Sequence, residues 1–384
     1  AGMLPAISIS SGYNGSVNDT ELEFNPFLDF GSDMDSEIEA SEAKSSNLSS
    51  SMSLSYRLFN GFNGIYTLNK FKHQNKIANQ NLRYQIENKI IEIIQLYYDL
   101  LNKQNTYSTF QIRHNISLDR YQQALDKYQY GAISKLDLLN AEVDLNQTKI
   151  NMEEAMISFK ASKENMSLII GHSDSIKYLE HEFKFNYNLN LDDLISKTKA
   201  NNTSIVISEL NYIVSEYELK LSKSSFAPTI DLFSSYSYTN IQSETSFISK
   251  QKNYGLVAGL SVEIPIFSAN MRSKAFKNAK ISLESKQLTM QQIKETIITA
   301  LKNAYNNYTE SLNNILLLKK NLETIEKTEQ ISRELYDAGQ ISSLEYRESQ
   351  VLLDQAEINY NAKLSATKIQ EYIIYQLSGQ LESK

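Results

Sequence analysis

Hydrophobic residues along this chain change their spacing in a fixed order, and that order occurs twice. Near the start they alternate: Ile7 and Ile9 stand between Ser8 and Ser10. Alternation returns at Met52, Leu54, Tyr56 and Leu58, set against Ser51, Ser53, Ser55 and Arg57. A period of two predicts strands with one apolar face. The spacing then becomes three and four, through Leu82, Ile86, Ile90, Ile93, Tyr97 and Leu101. About 60 residues pass from Ile65 to Tyr128 without a breaker, roughly 90 Å of helix at ~1.5 Å per residue. Gly131 marks a turn, and a returning helix is expected to end at Gly171.

An offset of 208 positions carries Tyr128-Gln-Tyr-Gly-Ala-Ile-Ser-Lys-Leu-Asp137 onto Tyr336-Asp-Ala-Gly-Gln-Ile-Ser-Ser-Leu-Glu345. The same offset pairs Phe59 with Phe267, Tyr97 with Tyr305, Leu145 with Leu353 and Gly171 with Gly379, so the duplication runs without a gap. Residues 1–171 form repeat one: strands over about 4–13 and 51–59, an acidic loop over 14–50, helices over 65–128 and 134–170. Residues 172–379 form repeat two: a linking helix over about 189–226, strands over 228–239 and 254–266, helices over 270–337 and 342–377. Residues 380–384 are a tail. Ser134 with Asp137, and Ser342 with Glu345, fit capping boxes that would start the returning helices.

The strands pose the question of where their apolar face goes. A membrane barrel turns it to lipid and turns the serines to a water-filled lumen. Leu54, Tyr56, Leu232, Leu260 and Val262 are then expected to face lipid, and Ser53, Ser55, Ser237 and Ser261 water. Four strands cannot close a barrel, and an open edge cannot sit in lipid, so several chains would share one. The strand tyrosines, Tyr13, Tyr56, Tyr236, Tyr238 and Tyr254, suit an interfacial belt, although aromatic residues also simply favour strands.

Composition narrows the choices. Apolar residues make up 41% of the chain, enough for a core, but no run is long enough for a membrane-spanning helix. A net charge of −7 argues against a nucleic-acid partner. Nine carboxylates against Lys44 alone lie between Asn14 and Ser50, so one segment holds the acidity. Cysteine is absent, which excludes disulfides and thiol chemistry. No leader is visible at Ala1-Gly2-Met3: either it was removed or the protein never had one. His73, His114, His172 and His181 lack metal-ligand spacing, and no phosphate loop or nucleophile elbow is present. No cofactor and no enzymatic chemistry are expected.

Two repeats of strand, strand, long helix, Gly turn and helix resemble the TolC-like family of outer-membrane efflux proteins. The resemblance rests on Leu4-Pro5 and Ala227-Pro228 before strands. It rests also on Leu58-Phe59-Asn60-Gly61 and Ile266-Phe267-Ser268-Ala269 where strand becomes helix, and on the two Gly turns. It covers essentially the whole chain. It implies an α+β membrane protein in which an oligomeric β-barrel, four strands per chain, continues into a long α-helical barrel. It further implies a homotrimer with a twelve-stranded barrel in the outer membrane of a diderm bacterium, with a periplasmic helical tunnel. A periplasmic adaptor would join it to an inner-membrane efflux pump or ABC transporter, for efflux of small molecules or type I protein secretion. The family begins with a helix before its first strand, so a segment of some 35–40 residues is expected to be missing here.

The resemblance also assigns sites. Tyr336, Asp137, Glu345 and Glu348 match the family's periplasmic gate. Acidic rings there would favour cations, although Asp137 and Glu345 are equally explained as helix caps. The family's gate arginine, two residues after the second turn glycine, is replaced by Ile341, with Arg333 and Arg347 the nearby bases. Gly131, Ala132, Ile133 and Ser134, with Gly339, Gln340, Ile341 and Ser342, would form the adaptor-docking tips; turn and cap formation is the plainer account of the same residues. The acidic 14–50 segment reads as a solvated loop, with ion selection at the mouth as the sharper alternative. The rival to a channel is a soluble coiled-coil scaffold with a small β-domain, which would not depend on detergent.

Overall fold

The computed structural model of the chain describes residues 4–23, 37–171, 181–244 and 248–381. In order, the elements are β1 (Ala6–Glu23), β2 (Glu37–Phe59), α1 (Asn63–Gln129), α2 (Lys135–Ile170), α3 (Leu191–Asn201), α4 (Thr203–Ser224), β3 (Thr229–Ser243), β4 (Lys250–Glu263), α5 (Met271–Asp337) and α6 (Ser343–Leu377). Contacts divide the chain into two units, one of residues 1–76 and 210–287, the other of 77–209 and 288–384.

The first unit holds one antiparallel sheet in the order β1-β2-β3-β4. Because side chains alternate along a strand, register decides which residues share a face. Ile7 pairs with Leu54, Ile9 with Met52, Tyr56 with Leu232, Leu232 with Leu260 and Ile230 with Val262. Every one of these falls on the same face, along with Tyr13, Tyr236, Tyr238, Tyr254 and Leu256. Leu260 is 65% exposed and Leu256 69%, so among the described residues nothing covers that part of the face. The opposite face collects Ser8, Ser10, Ser51, Ser53, Ser55, Ser235, Ser237 and Ser261. Its hydroxyls pair across strands, Ser10 Oγ with Ser51 Oγ at 2.9 Å and Ser16 Oγ with Ser45 Oγ at 2.8 Å. Near the helices this face carries the Arg57–Asp231 pair, at 2.7 Å. On the apolar face, Ser11 and Ser50 satisfy each other at 2.8 Å.

Two sequence expectations need correction. The 14–50 segment is strand through Glu23 and again from Glu37, where a loop was expected; residues 24–36 lie outside the described set. Pairing explains this. Ladder hydrogen bonds hold the backbone even where both faces are polar, so the alternation that marks a strand in sequence is lost. The linking helix over 189–226 is two helices, broken at Asn202 with ψ 123°. The Asn202 carboxamide oxygen accepts from the Ser204 and Ile205 N–H groups, and its amide donates to the Leu377 carbonyl at 3.0 Å. One side chain therefore caps α4 and ties the break to α6.

Between strand and helix, Gly61 takes φ +64°, and a Cβ there would lie 2.5 Å from the Ala227 Cβ. No side chain fits, which accounts for glycine in the Leu58–Gly61 motif.

In the second unit, Leu194, Leu301, Tyr308, Leu312 and Ile374 form the core. The Tyr308 hydroxyl has the Asn186 carbonyl at 3.1 Å and the Glu371 carboxylate at 3.3 Å as acceptors for its one proton. Burial and the neighbouring carboxylate hold Tyr308 protonated, far above the usual tyrosine range. No described helix is long and apolar enough to cross a membrane.

Candidate functional site at the helix tips

Both long helices end in the same backbone device. Gly131 at φ +72° and Gly339 at φ +73° occupy the left-handed position. The Gly131 N–H bonds the Tyr128 carbonyl at 2.9 Å and the Ala132 N–H the Lys127 carbonyl at 2.8 Å. Gly339 and Gln340 repeat this on Tyr336 and Leu335 at 2.9 and 2.8 Å. These are Schellman closures, which satisfy the last helical carbonyls. A Cβ on either glycine would meet nothing within 4 Å, so conformation rather than crowding selects glycine.

The returning helices start at capping boxes, as expected. The Asp137 N–H donates to Ser134 Oγ at 3.2 Å, and the Ser134 N–H donates to Asp137 Oδ2 at 3.1 Å. Glu345 and Ser342 do the same at 3.3 and 2.8 Å. The Ser342 N–H and hydroxyl hold the Glu345 carboxyl below the usual carboxylate range.

The four residues matched to a gate have separate settings within one chain. Asp137 and Glu345 are exposed and tied to their own caps, Glu348 is exposed, and Tyr336 is half-buried. Among the described residues no hydrogen bond or ion pair joins any two of them. Ile133 and Ile341 are half-buried, whereas Gly131, Ala132, Ser134, Gly339, Gln340 and Ser342 are open to solvent.

Sequence reasoning missed the cluster just behind these tips. The Tyr336 ring stacks on Tyr346, with centres 5.1 Å apart. The Arg120 guanidinium lies 5.3 and 5.1 Å from the two ring centres. Arg120 also donates to Gln350 Oε1 at 3.1 Å, Ser343 Oγ at 3.0 Å and Asp144 Oδ2 at 3.4 Å. Asp144 accepts in addition from Ser117 Oγ at 3.0 Å and pairs with Arg347 Nε at 3.1 Å. Arg347, one of the expected gate bases, is therefore engaged inside its own chain. Farther from the tips, Arg113 grips Asp354 with Nη2 at 2.6 Å and Nε at 3.0 Å. Tyr336 on α5, Arg120 on α1, Asp144 on α2 and Gln350 on α6 bring one residue from each of four helices into this network. The available signal was the spacing of Arg113, Ser117 and Arg120, which puts three polar residues on one face of α1.

Among the described residues no three His, Asp or Glu side chains are placed to hold a metal ion. His181 instead lies between two tyrosines, its ring nitrogens 3.4 Å from the Tyr97 hydroxyl and 3.2 Å from that of Tyr98. Burial, with Lys368 nearby, pushes its pKa down. His172 lies outside the described residues.

Comparison with known proteins gives a consistent result. A family model described as "Outer membrane efflux protein" matches residues 1–172 and 194–380. The fold is similar to the Campylobacter jejuni CmeC outer membrane channel, at TM-score 0.78 and 15% identity over 99% of this chain and 78% of that one. A membrane protein from Pseudomonas aeruginosa superposes at 0.78 with 13% identity, over 98% of this chain and 82% of that one. The open state of the Neisseria gonorrhoeae MtrE outer membrane channel does so at 0.73 with 13% identity, over 99% and 82%. No curated protein matches the chain in sequence.

Proposed function

Because the chain belongs to the outer membrane efflux protein family, we propose that three copies close one twelve-stranded barrel and one helical tunnel, docked through an adaptor to an inner-membrane pump. The efflux-channel role and the outer-membrane location come with the family, and the protein is not an enzyme. The observation that carries the assembly is the sheet. One face is apolar and uncovered, the other is lined with hydroxyls, and β1 and β4 have no outer partner strand among the described residues. Unpaired strand edges are not tolerated in hydrocarbon, so further copies must complete the pairing. Sizing of the detergent-extracted protein tests this: a monomer in detergent would overturn it. The cargo, small molecules or secreted proteins, follows from the pump.

The paired tips are the proposed adaptor contact. Both present an open Schellman glycine and a serine cap, so each chain offers two backbone surfaces of the same shape. Gly131→Trp with Gly339→Trp should abolish export, measured as drug tolerance or secreted cargo, while the oligomer still inserts. Loss of folding in that variant would favour a purely structural role.

The proposed gate lies at the same end. Three copies would gather nine carboxylates from Asp137, Glu345 and Glu348, and like charges at short range repel unless compensated. With Ile341 at the family's arginine position and Arg347 held by Asp144, compensation falls to Arg333 or a bound cation. The reconstituted channel should therefore be cation-selective and blocked by divalent cations from the periplasmic side. Asp137→Asn, Glu345→Gln and Glu348→Gln together should remove both effects. An anion-selective wild-type channel would rule the gate out.

A further inference from the structure

Charge on the apolar face of the sheet is confined to one end. Within residues 6–18, 44–58 and 229–263, the charged residues of that face are Lys44, Glu244, Lys250 and Lys252. The other three charges in these stretches, Arg57, Asp231 and Glu263, belong to the hydroxyl face and to the opposite end, where strands join helices. The register shows how the face is layered. Tyr238 pairs with Tyr254; in the next row Tyr13 pairs with Leu48, and Asn240 with Lys252. One row further Gln242 pairs with Lys250, and beyond it Val17 with Lys44. An uncharged band, Ile230–Tyr238 on β3 and Tyr254–Val262 on β4, thus gives way through tyrosines to lysines. The band is about nine residues long, the length of a tilted spanning strand.

A hollow of about 470 Å³ opens beside this rim, lined by Tyr13, Gly15, Val17, Lys44, Gln242 and Glu244 among others. Glu244 is its carboxylate, and one oxygen of it accepts the Lys44 backbone N–H at 2.9 Å. One layer beyond, Asp19 Oδ1 is likewise taken by the Glu42 N–H at 2.7 Å. The three lysines are exposed, and their ammonium groups have no hydrogen-bond or ion-pair partner among the described residues.

We infer that this rim, Lys44 in the hollow beside Tyr13 with Lys250 and Lys252 on the neighbouring strand β4, is a binding surface for phosphate-bearing headgroups of the outer leaflet. The inference rests on the apolar face meeting lipid and adds a specific contact to it. The depth is fixed by the register. Lysines one to three rows past an interfacial tyrosine layer lie where headgroup phosphates begin. They lie at the end of the sheet opposite the strand–helix junctions, and with periplasmic helices that end faces the outer leaflet. Their stems can run along the apolar surface while the ammonium groups reach outward. Gly15 leaves the floor of the hollow open, and the Tyr13 hydroxyl and Gln242 amide add neutral donors.

The test uses the full channel in phosphatidylcholine nanodiscs with and without a minor fraction of diphosphorylated lipid A, reading retained lipid by native mass spectrometry. Wild-type channel should retain lipid A. Lys44→Gln, Lys250→Gln and Lys252→Gln combined should cut retention on the order of tenfold to a hundredfold, since each lysine adds roughly fivefold at an anionic surface. The matching triple Lys→Arg variant should restore it. Equal retention by wild type and the Gln variant, both inserted and oligomeric, would overturn the inference alone. Retention of inorganic pyrophosphate by a channel that retains no lipid A would also overturn it, because the surface would then serve a free phosphate. Failure of the wild type to insert even into phosphatidylcholine would instead remove the lipid-facing reading beneath it.

Discussion

Arginine at Leu54 should destabilise the bilayer-inserted channel by about 2–4 kcal/mol, while arginine at the adjacent Ser55 should cost no more than about 1 kcal/mol. The two positions are neighbours on β2 and differ in face. Leu54 pairs with Ile7 and with Ser234, and Ser234 with Ala258, which places it in the middle row of the uncharged band. A guanidinium there must be carried into hydrocarbon or drag water with it. Ser55 pairs with Phe233 on the hydroxyl face, near Arg57 and Asp231, where water would solvate the charge. Denaturant titration of folded channel in vesicles measures both variants. Equal costs would mean that the face exposed in one chain does not meet lipid.

The second large effect is expected at Arg113 and Asp354. Their side chains are 12% and 11% exposed and joined by three contacts of 3.1 Å or less. Burial pushes the Asp354 carboxyl up more than the Arg113 hydrogen bonds and charge pull it down. A carboxyl raised in the folded state binds protons there before it does in the unfolded chain. Its contribution to stability therefore falls as pH rises from the unfolded value through the folded one, and is lowest at neutral pH. Asp354→Leu alone should cost about 3–5 kcal/mol, because it leaves a buried guanidinium uncompensated. Arg113→Met with Asp354→Leu should be close to neutral or stabilising. If the double variant is as unstable as the single, the pair is a true source of stability and this account is wrong.

What the sequence made legible follows the range of each interaction. The facing of the strands was readable because period two survives wherever one side is apolar: Leu54, Tyr56, Leu232, Leu260 and Val262 share a face. The strands beyond Tyr13 were not readable, since Ser, Asn and Glu on both faces leave no period to detect. The capping boxes at Ser134 and Ser342 were readable because the partners are three residues away. Asn202 was not, because its hydrogen bond to Leu377 crosses 175 positions. The same holds for Arg120: Gln350 lies 230 positions along the chain. Motif resemblance pointed to Tyr336, but it could not supply the stacking partner Tyr346 or the cation lying over both rings.

That cluster has a consequence for symmetry. The two hairpin turns of this chain are superposable in backbone logic, with the same glycine, the same closure and the same cap. Their chemistry is not duplicated. The 208-residue offset carries Arg120 to Thr328, Asp144 to Leu352, Tyr346 to Leu138 and Arg347 to Leu139. The cluster is thus assembled from unlike contributions, Arg120 and Asp144 from the first hairpin and Tyr336, Tyr346, Arg347 and Gln350 from the second. A ring of such chains therefore has one repeating unit per polypeptide, not per hairpin. A partner that grips the tips by backbone shape alone can sit at every hairpin, whereas one that reads side chains must distinguish alternate hairpins around the ring. Counting bound partners per chain, one or two, would tell which of these languages the assembly uses.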